Sequence, residues 1–229
     1  MYTLSPYATT HYKGEQIAVS QNKIYVSYEN PRLAFINNLK QGELIKEEDI
    51  YRKDEYIEIK DKIYKILGVN TKNFTLVLEK TDLSKAQLFS TQVGHKAHPF
   101  QGVEFTTKSI ISLESLKGKH VLLDFWAAWC GPCIQEFPHL KELYSKTDKS
   151  KFEIIGIVGN TPSDALKKLI DQHEITWSQI LSDETNKITE KYGINSYPTT
   201  LLIDTEGVII AKDLRGKELE EKILSLIKN

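Results

Sequence analysis

Cysteine is scarce in this sequence. There are two in 229 residues, both inside Trp129-Cys130-Gly131-Pro132-Cys133. Two thiols are too few for the disulfide framework that holds small secreted scaffolds together. Long apolar runs are missing as well: none approaches the roughly 20 residues of a membrane-spanning helix, so no transmembrane segment is expected. Charge of one sign is not in excess, since 30 basic residues stand against 31 acidic ones for a net charge of −1. That balance argues against a nucleic-acid surface or a polybasic membrane patch. The N-terminus, "MYTLSPYATTHYKG", has no basic segment followed by an apolar stretch, so no signal peptide is read there. Internal repeats and low-complexity segments are absent too. What remains is an ordinary globular composition, 40% hydrophobic and 27% charged, long enough for one large or two ordinary domains.

Residues 1–90 read as a β-rich domain. In "QIAVSQNKIYVSY", Ile17 and Val19, then Ile24 and Val26, alternate about Gln21-Asn22, which predicts a hairpin. "NPRLAFINNLKQG" predicts a short helix, with Pro31 at its first position and Gly42 as its stop. Three strand-like runs follow, Tyr56–Ile59, Ile63–Val69 and Phe74–Leu78, parted by Asp61-Lys62 and Asn70–Asn73. They predict a meander. Residues 91–101 are polar, with glycine and proline, and are expected to form a linker.

From 102 to 229 strand and helix alternate. "HVLLDFWA" and "FEIIGIVGN" read as buried parallel strands. Between them "CIQEFPHLKELYSK" carries helical spacing through Ile134, Phe137, Leu140 and Leu143. "SDALKKLIDQH" predicts an amphipathic helix with Ser163 as its cap. "WSQIL" reads as a short strand, "DETNKITEKYG" as a helix ended by Gly193, "TTLLID" and "GVIIAK" as strands, and "GKELEEKILSLIK" as a closing helix. Such alternation predicts an α/β layered fold with a mixed sheet.

Three readings of the cysteine pair compete. A structural zinc site needs four ligands, and no second pair exists; His95 and His98 are distant in sequence. A purely stabilising disulfide closes so short a loop that it removes little entropy from the unfolded chain. The redox reading fits the local physics. The pair follows a buried strand and opens a helix, so Cys130 meets unpaired amides and the positive end of the helix dipole. A thiolate is favoured there, and the thiolate attacks disulfides. Cys133, one turn further in, is placed to resolve the mixed disulfide. Pro132 suits an early helical position because its missing N–H is not needed.

"VLLDFWAAWCGPC", Pro138 five residues after Cys133, "INSYPTTLLID" and the inserted "SDALKKLIDQHEITWSQIL" together resemble the thioredoxin superfamily. Within it they are similar to the TlpA/ResA-like thiol–disulfide oxidoreductases, over about residues 95–229. The resemblance implies a three-layer fold, a mixed central sheet with flanking helices and the TlpA-type insertion, preceded here by the smaller β-rich domain. It implies a kink at Pro138 and a cis bond before Pro198, which leaves the Tyr197 backbone to pair with an extended substrate. Asp124 then matches the buried aspartate that exchanges a proton with the resolving thiol, and the bland alternative is a surface-facing strand residue. Glu136 matches an acid that serves the thiols in ResA-like proteins, against the alternative of a solvated helix glutamate. The resemblance expects a neutral residue at the strand position that Asp124 occupies, so which acid handles protons stays open.

Trp126 is expected in the core, while Trp129, Gly131 and Pro132 are expected to border the disulfide or touch substrate. His139 and His173 are read as helix-surface residues. The leading expectation is a disulfide reductase acting through Cys130 and Cys133, without cofactor or metal, on disulfide-containing proteins. Electrons would come from a membrane thiol donor, and the place of action would be extracytoplasmic, periplasmic or tethered, with a cytoplasmic one left open. The alternatives are a thiol peroxidase, which would need threonine where Ala127 stands, and a binding protein centred on residues 1–90. Those residues hold no cysteine, phosphate loop or metal cluster and are expected to serve homodimerisation or docking.

Overall fold

The computed structural model describes residues 75–227 without a break. Before them it describes residues 2–5, 9–12, 15–18, 22–27, 32–37, 50–52, 55–59 and 62–70. The chain divides into two compact units, Met1–Gln92 and Val93–Asn229.

Among the described residues the first unit is built of strands. β1 (Tyr2–Ser5), β4 (Asn22–Ser27), β5 (Arg32–Asn37) and β6 (Ile50–Arg52) form one sheet in the order β1-β4-β5-β6. β2 (Thr9–Tyr12), β3 (Glu15–Ala18), β7 (Tyr56–Ile59), β8 (Lys62–Asn70) and β9 (Thr75–Lys80) form a second, in the order β3-β2-β9-β8-β7. The predicted meander is present as antiparallel β7, β8 and β9. Two other expectations are corrected. The strands around Ile17 and Ile24 do not form one hairpin: β3 pairs with β2, whereas β4 pairs with β1 and β5. The segment expected as a helix is strand β5. Six residues make a marginal helix in water, while as a strand the segment pairs on both edges, to β4 over Leu33–Asn37 and to β6 over Arg32–Ala34. Gln21, Pro31, Gly42, Asp61, the turn residues 71–73 and Phe74 lie outside the described residues.

The end of this unit is anchored by Glu55, a buried carboxylate. It accepts the Thr91 N–H at 3.0 Å, the Thr91 hydroxyl at 2.6 Å and the Gln92 amide at 2.8 Å. A buried carboxylate is tolerable when several donors replace its water in this way.

The second unit is a five-stranded mixed sheet. Its strands are β12 (His120–Trp126), β13 (Phe152–Val158), β14 (Ser178–Leu181), β15 (Thr199–Ile203) and β16 (Ile209–Lys212), in the order β14-β13-β12-β15-β16. β12, β13 and β14 run parallel, and β15 and β16 are antiparallel additions. Central β12 needs apolar residues on both faces. Leu122 and Trp126 pack against α1 (Gly131–Ser145), α2 (Ser163–His173) and α4 (Gly216–Ile227), through Phe137, Leu140, Leu166, Leu219 and Ile223. Val121, Leu123 and Phe125 face the other way, onto Ala97, Phe100, Leu116 and the Ile188 and Tyr192 of the α3 region (Ile188–Lys191). The result is the expected three-layer α/β arrangement.

Residues expected as a linker partly join this sheet. Gly94 and Ala97 donate to the Ile209 and Gly207 carbonyls at 2.8 and 2.9 Å, and Ile209 donates to His95 at 2.9 Å. The hairpin of β10 (Gln101–Val103) and β11 (Ile110–Ser112) carried no legible signal. Two helix expectations are adjusted. Pro162 takes the cap position of α2, so Ser163 is its first helical residue. α3 shrinks to a single turn because the Asp183 carboxylate accepts the Thr185 and Asn186 amides, closing a separate turn ahead of it.

Candidate active site

β12 ends at Trp126, and four residues later α1 begins with Cys130 as its N-cap. The Cys133 N–H points back to the Cys130 Sγ at 3.2 Å. With proline at the second helical position, that donor is one of few left in the first turn, and it is aimed at sulfur. Cys130 and Cys133 are joined as a disulfide. Each is only 3% exposed, and both belong to the apolar cluster that includes Trp126 and Phe137. Gly131 and Pro132, between them, are exposed.

The turn that presents Cys130 is held from two sides. Cys130 N–H donates to the Ala127 carbonyl at 2.9 Å. Ala128 N–H donates to the Thr161 hydroxyl at 2.9 Å, and that hydroxyl donates to the Gly159 carbonyl at 2.8 Å. Thr161, which no sequence signal picked out, therefore ties the cysteine turn to the loop after β13. Trp126 is wholly buried, its indole N–H donating to Gln179 at 2.9 Å and its ring edge-on to Phe137 at 4.9 Å. Ala127, where a peroxidatic motif would carry threonine, presents only a buried methyl group.

Trp129 is 65% exposed. Its indole N–H donates to the Asn160 carbonyl at 3.2 Å, and its ring meets that of Tyr197 at 5.6 Å. Tyr197 precedes Pro198 through a cis peptide. The Tyr197 hydroxyl rests so close to Gly159 that a β-carbon there would lie 1.9 Å from it. The ring contact thus brings the Tyr197-Pro198 pair, distant in sequence, to Trp129, the chain neighbour of Cys130.

The two acids differ in setting. Asp124, in mid-strand, is 4% exposed, which rules out the surface-facing alternative. Burial pushes its carboxyl up to about 7, the nearby Glu136 charge adds to the rise, and Arg215 opposes it. Glu136 is half-buried on α1, and its carboxylate accepts the Gly216 N–H at 2.7 Å, capping the start of α4. It is therefore neither free in solvent nor sealed in the core. Pro138 lies within α1, where the ring deletes one helical hydrogen bond. His139 is exposed, and His173 packs edge-on to Phe137 at 5.4 Å. Among the described residues no three His, Cys, Asp or Glu side chains gather as a metal site.

With this geometry in hand, comparison with known proteins is specific. Residues 93–212 match the model of the AhpC/TSA family. The thiol-disulfide oxidoreductase ResA of Bacillus thuringiensis (strain Al Hakam) is 33% identical over 137 residues, covering 60% of this chain and 78% of that protein. The ResA of Halalkalibacterium halodurans is 32% identical over 134 residues, covering 56% and 76%. Among solved structures, the thioredoxin domain of a thiol-disulfide oxidoreductase from Bacteroides vulgatus superposes with a TM-score of 0.55. It is 31% identical and covers 62% of this chain and 99% of that one.

Proposed function

Because the chain belongs to the AhpC/TSA family, in its ResA-like branch of thiol–disulfide oxidoreductases, we propose that it reduces disulfides in partner proteins through the Cys130–Cys133 dithiol. The observation that carries this is Cys130 at the cap of α1, with the Cys133 amide on its sulfur and the cis Tyr197–Pro198 loop in ring contact with its neighbour Trp129. In the reduced protein the Cys130 thiolate attacks one sulfur of a substrate disulfide. A mixed disulfide forms and the other substrate sulfur leaves as thiolate. Cys133 gives its proton to Asp124 and attacks Cys130, releasing the second substrate thiolate. Two electrons have passed to the substrate, and the enzyme holds the Cys130–Cys133 disulfide seen in the structure.

Asp124 suits that proton transfer because its carboxyl sits at about 7, where it can be both acceptor and donor at neutral pH. Glu136 serves in two ways, as the cap of α4 and as the negative charge that keeps Asp124 basic. Trp129, Gly131, Pro132 and Tyr197 form the rim a substrate segment crosses, its backbone pairing with Tyr197. We further place the protein outside the cytoplasm, re-reduced by a membrane thiol donor, as the resemblance to ResA-like proteins implies. Residues 1–90, which hold no cysteine, are read as a docking or dimerisation module.

Reduction of insulin by the dithiol form, with Cys130→Ser as control, tests the activity. Turnover no faster than the control would refute it. A Cys133→Ala variant should hold substrates as stable mixed disulfides on Cys130, which identifies them by mass.

A further inference from the structure

The loop between β16 and α4, residues 213–215, lies beyond the family match, which ends at 212. It is nonetheless stitched to the cis-proline strand. Asp213 N–H donates to the Thr200 carbonyl at 2.8 Å, Thr200 N–H donates to the Asp213 carboxylate at 3.3 Å, and the Thr200 hydroxyl donates to the Leu214 carbonyl at 3.1 Å. Arg215 Nη2 donates to the carbonyl of Pro198 at 2.5 Å. The next residue, Gly216, donates its N–H to Glu136 on the redox helix. Gly216 has φ of +51°, a conformation that glycine adopts without penalty. One short loop thus touches both the cis-proline segment and α1.

We propose that Arg215 is a positioning residue for protein-disulfide exchange: by seating its guanidinium on the Pro198 carbonyl it fixes the peptide plane next to Tyr197 and keeps the substrate-pairing edge in register with Cys130. The proposal rests on the oxidoreductase reading above. The Pro198–Thr199 peptide unit is rigid and planar, so clamping its carbonyl fixes it up to the Pro198 α-carbon, and the proline ring, which locks φ, carries that constraint back to the cis peptide of Tyr197. A guanidinium makes a charge-assisted bond to that carbonyl and presents a fixed fork of donors. An ammonium supplies the charge without the fork. Arg215 is solvent-exposed, so its side chain adds little to the core and is maintained by this contact. The same cation opposes the rise in the Asp124 carboxyl. The charged groups that act on the Asp124 carboxyl are Glu136 on α1 and Arg215 in the loop, and Asp213 in the same loop is held by Thr200, the strand partner of Asp124.

The experiment compares wild type, Arg215→Met and Arg215→Lys, full-length and reduced, on insulin and on a small nitrobenzoate disulfide, from about pH 5 to about pH 9. The small disulfide needs no pairing with Tyr197. Arg215→Met should raise KM for insulin about tenfold, the loss expected for one hydrogen bond from a charged donor, with the small disulfide little changed. The pH inflection of turnover should move upward. Arg215→Lys should return the inflection toward wild type yet leave the insulin KM high. Equal changes for both substrates, or an insulin KM unmoved in both variants, would overturn the proposal. If Arg215→Met fails to fold, Arg215→Lys alone decides, because its charge is retained. A wild-type protein inactive on insulin would instead defeat the oxidoreductase reading itself.

Discussion

Asp124→Asn should make the oxidised protein more stable, and only above acidic pH. The Asp124 carboxyl is raised from 3.8 to about 7, first by burial and second by Glu136, with Arg215 pulling the other way. In the unfolded chain an aspartate loses its proton near 3.9. Between these two values the folded protein keeps a proton that the unfolded chain has released, so raising the pH favours unfolding. Stability is therefore intact below about pH 4 and falls progressively until about pH 7. At about 1.4 kcal/mol per pH unit, the interval from 3.8 to about 7 corresponds to about 4 kcal/mol. Asparagine nearly matches aspartate in shape and has no proton to lose, so the variant should lack this slope. The cysteines of the oxidised form do not titrate, which removes a competing signal. Trp126, Trp129 and Trp177, the three tryptophans of the chain, all lie in the second unit. Denaturant titrations followed by tryptophan fluorescence therefore report on that unit. The two proteins should agree near pH 4 and diverge by several kcal/mol near pH 8. A difference that is the same at both pH values would refute the account of a buried, proton-holding Asp124.

Glu136→Gln keeps an acceptor for Gly216 N–H but removes the charge that raises Asp124, so the pH inflection of insulin reduction should move down; an unmoved inflection would separate the two acids. Thr161→Val strips the acceptor from Ala128 N–H and should cost about 1–3 kcal/mol in denaturant titration, with faster alkylation of reduced Cys130 as its turn loosens. Gly159→Ala would place a methyl group 1.9 Å from the Tyr197 hydroxyl, pushing that ring off Trp129. The insulin KM should rise about tenfold or more, while activity on a small disulfide is retained.

What the sequence disclosed depended on how local the cause was. The redox turn was legible because strand, cysteines and helix start are consecutive, and a buried parallel strand such as β12 announces itself by an unbroken apolar run. Asp124 was visible as a misfit, a carboxylate within that run. The cis bond at Pro198 came from resemblance, since nothing in its neighbours dictates it. Thr161, Gln179 and Arg215 stayed hidden because they act across the fold, 33, 53 and 17 residues from their partners Ala128, Trp126 and Pro198. In the first unit the errors were errors of pairing. Alternation located strands β3 and β4, but which strand each one joins is set by tertiary contacts, and a short apolar run such as Leu33–Ile36 is ambiguous between helix and strand until its neighbours are known.

Having both Asp124 and Glu136 follows from this division of labour. A single buried aspartate gains basicity from desolvation alone, and its proton affinity is then fixed by how tightly the core closes over it. The Glu136 charge raises it further, and that carboxylate is half-buried and anchored through Gly216 to α4. Arg215 acts with opposite sign, and its guanidinium is bound to the carbonyl of the cis-proline Pro198. One side chain therefore reaches both the cis-proline segment and the field at Asp124, which is why Arg215→Met is expected to move the insulin KM and the pH inflection together, while Arg215→Lys, which keeps the charge, should separate the two.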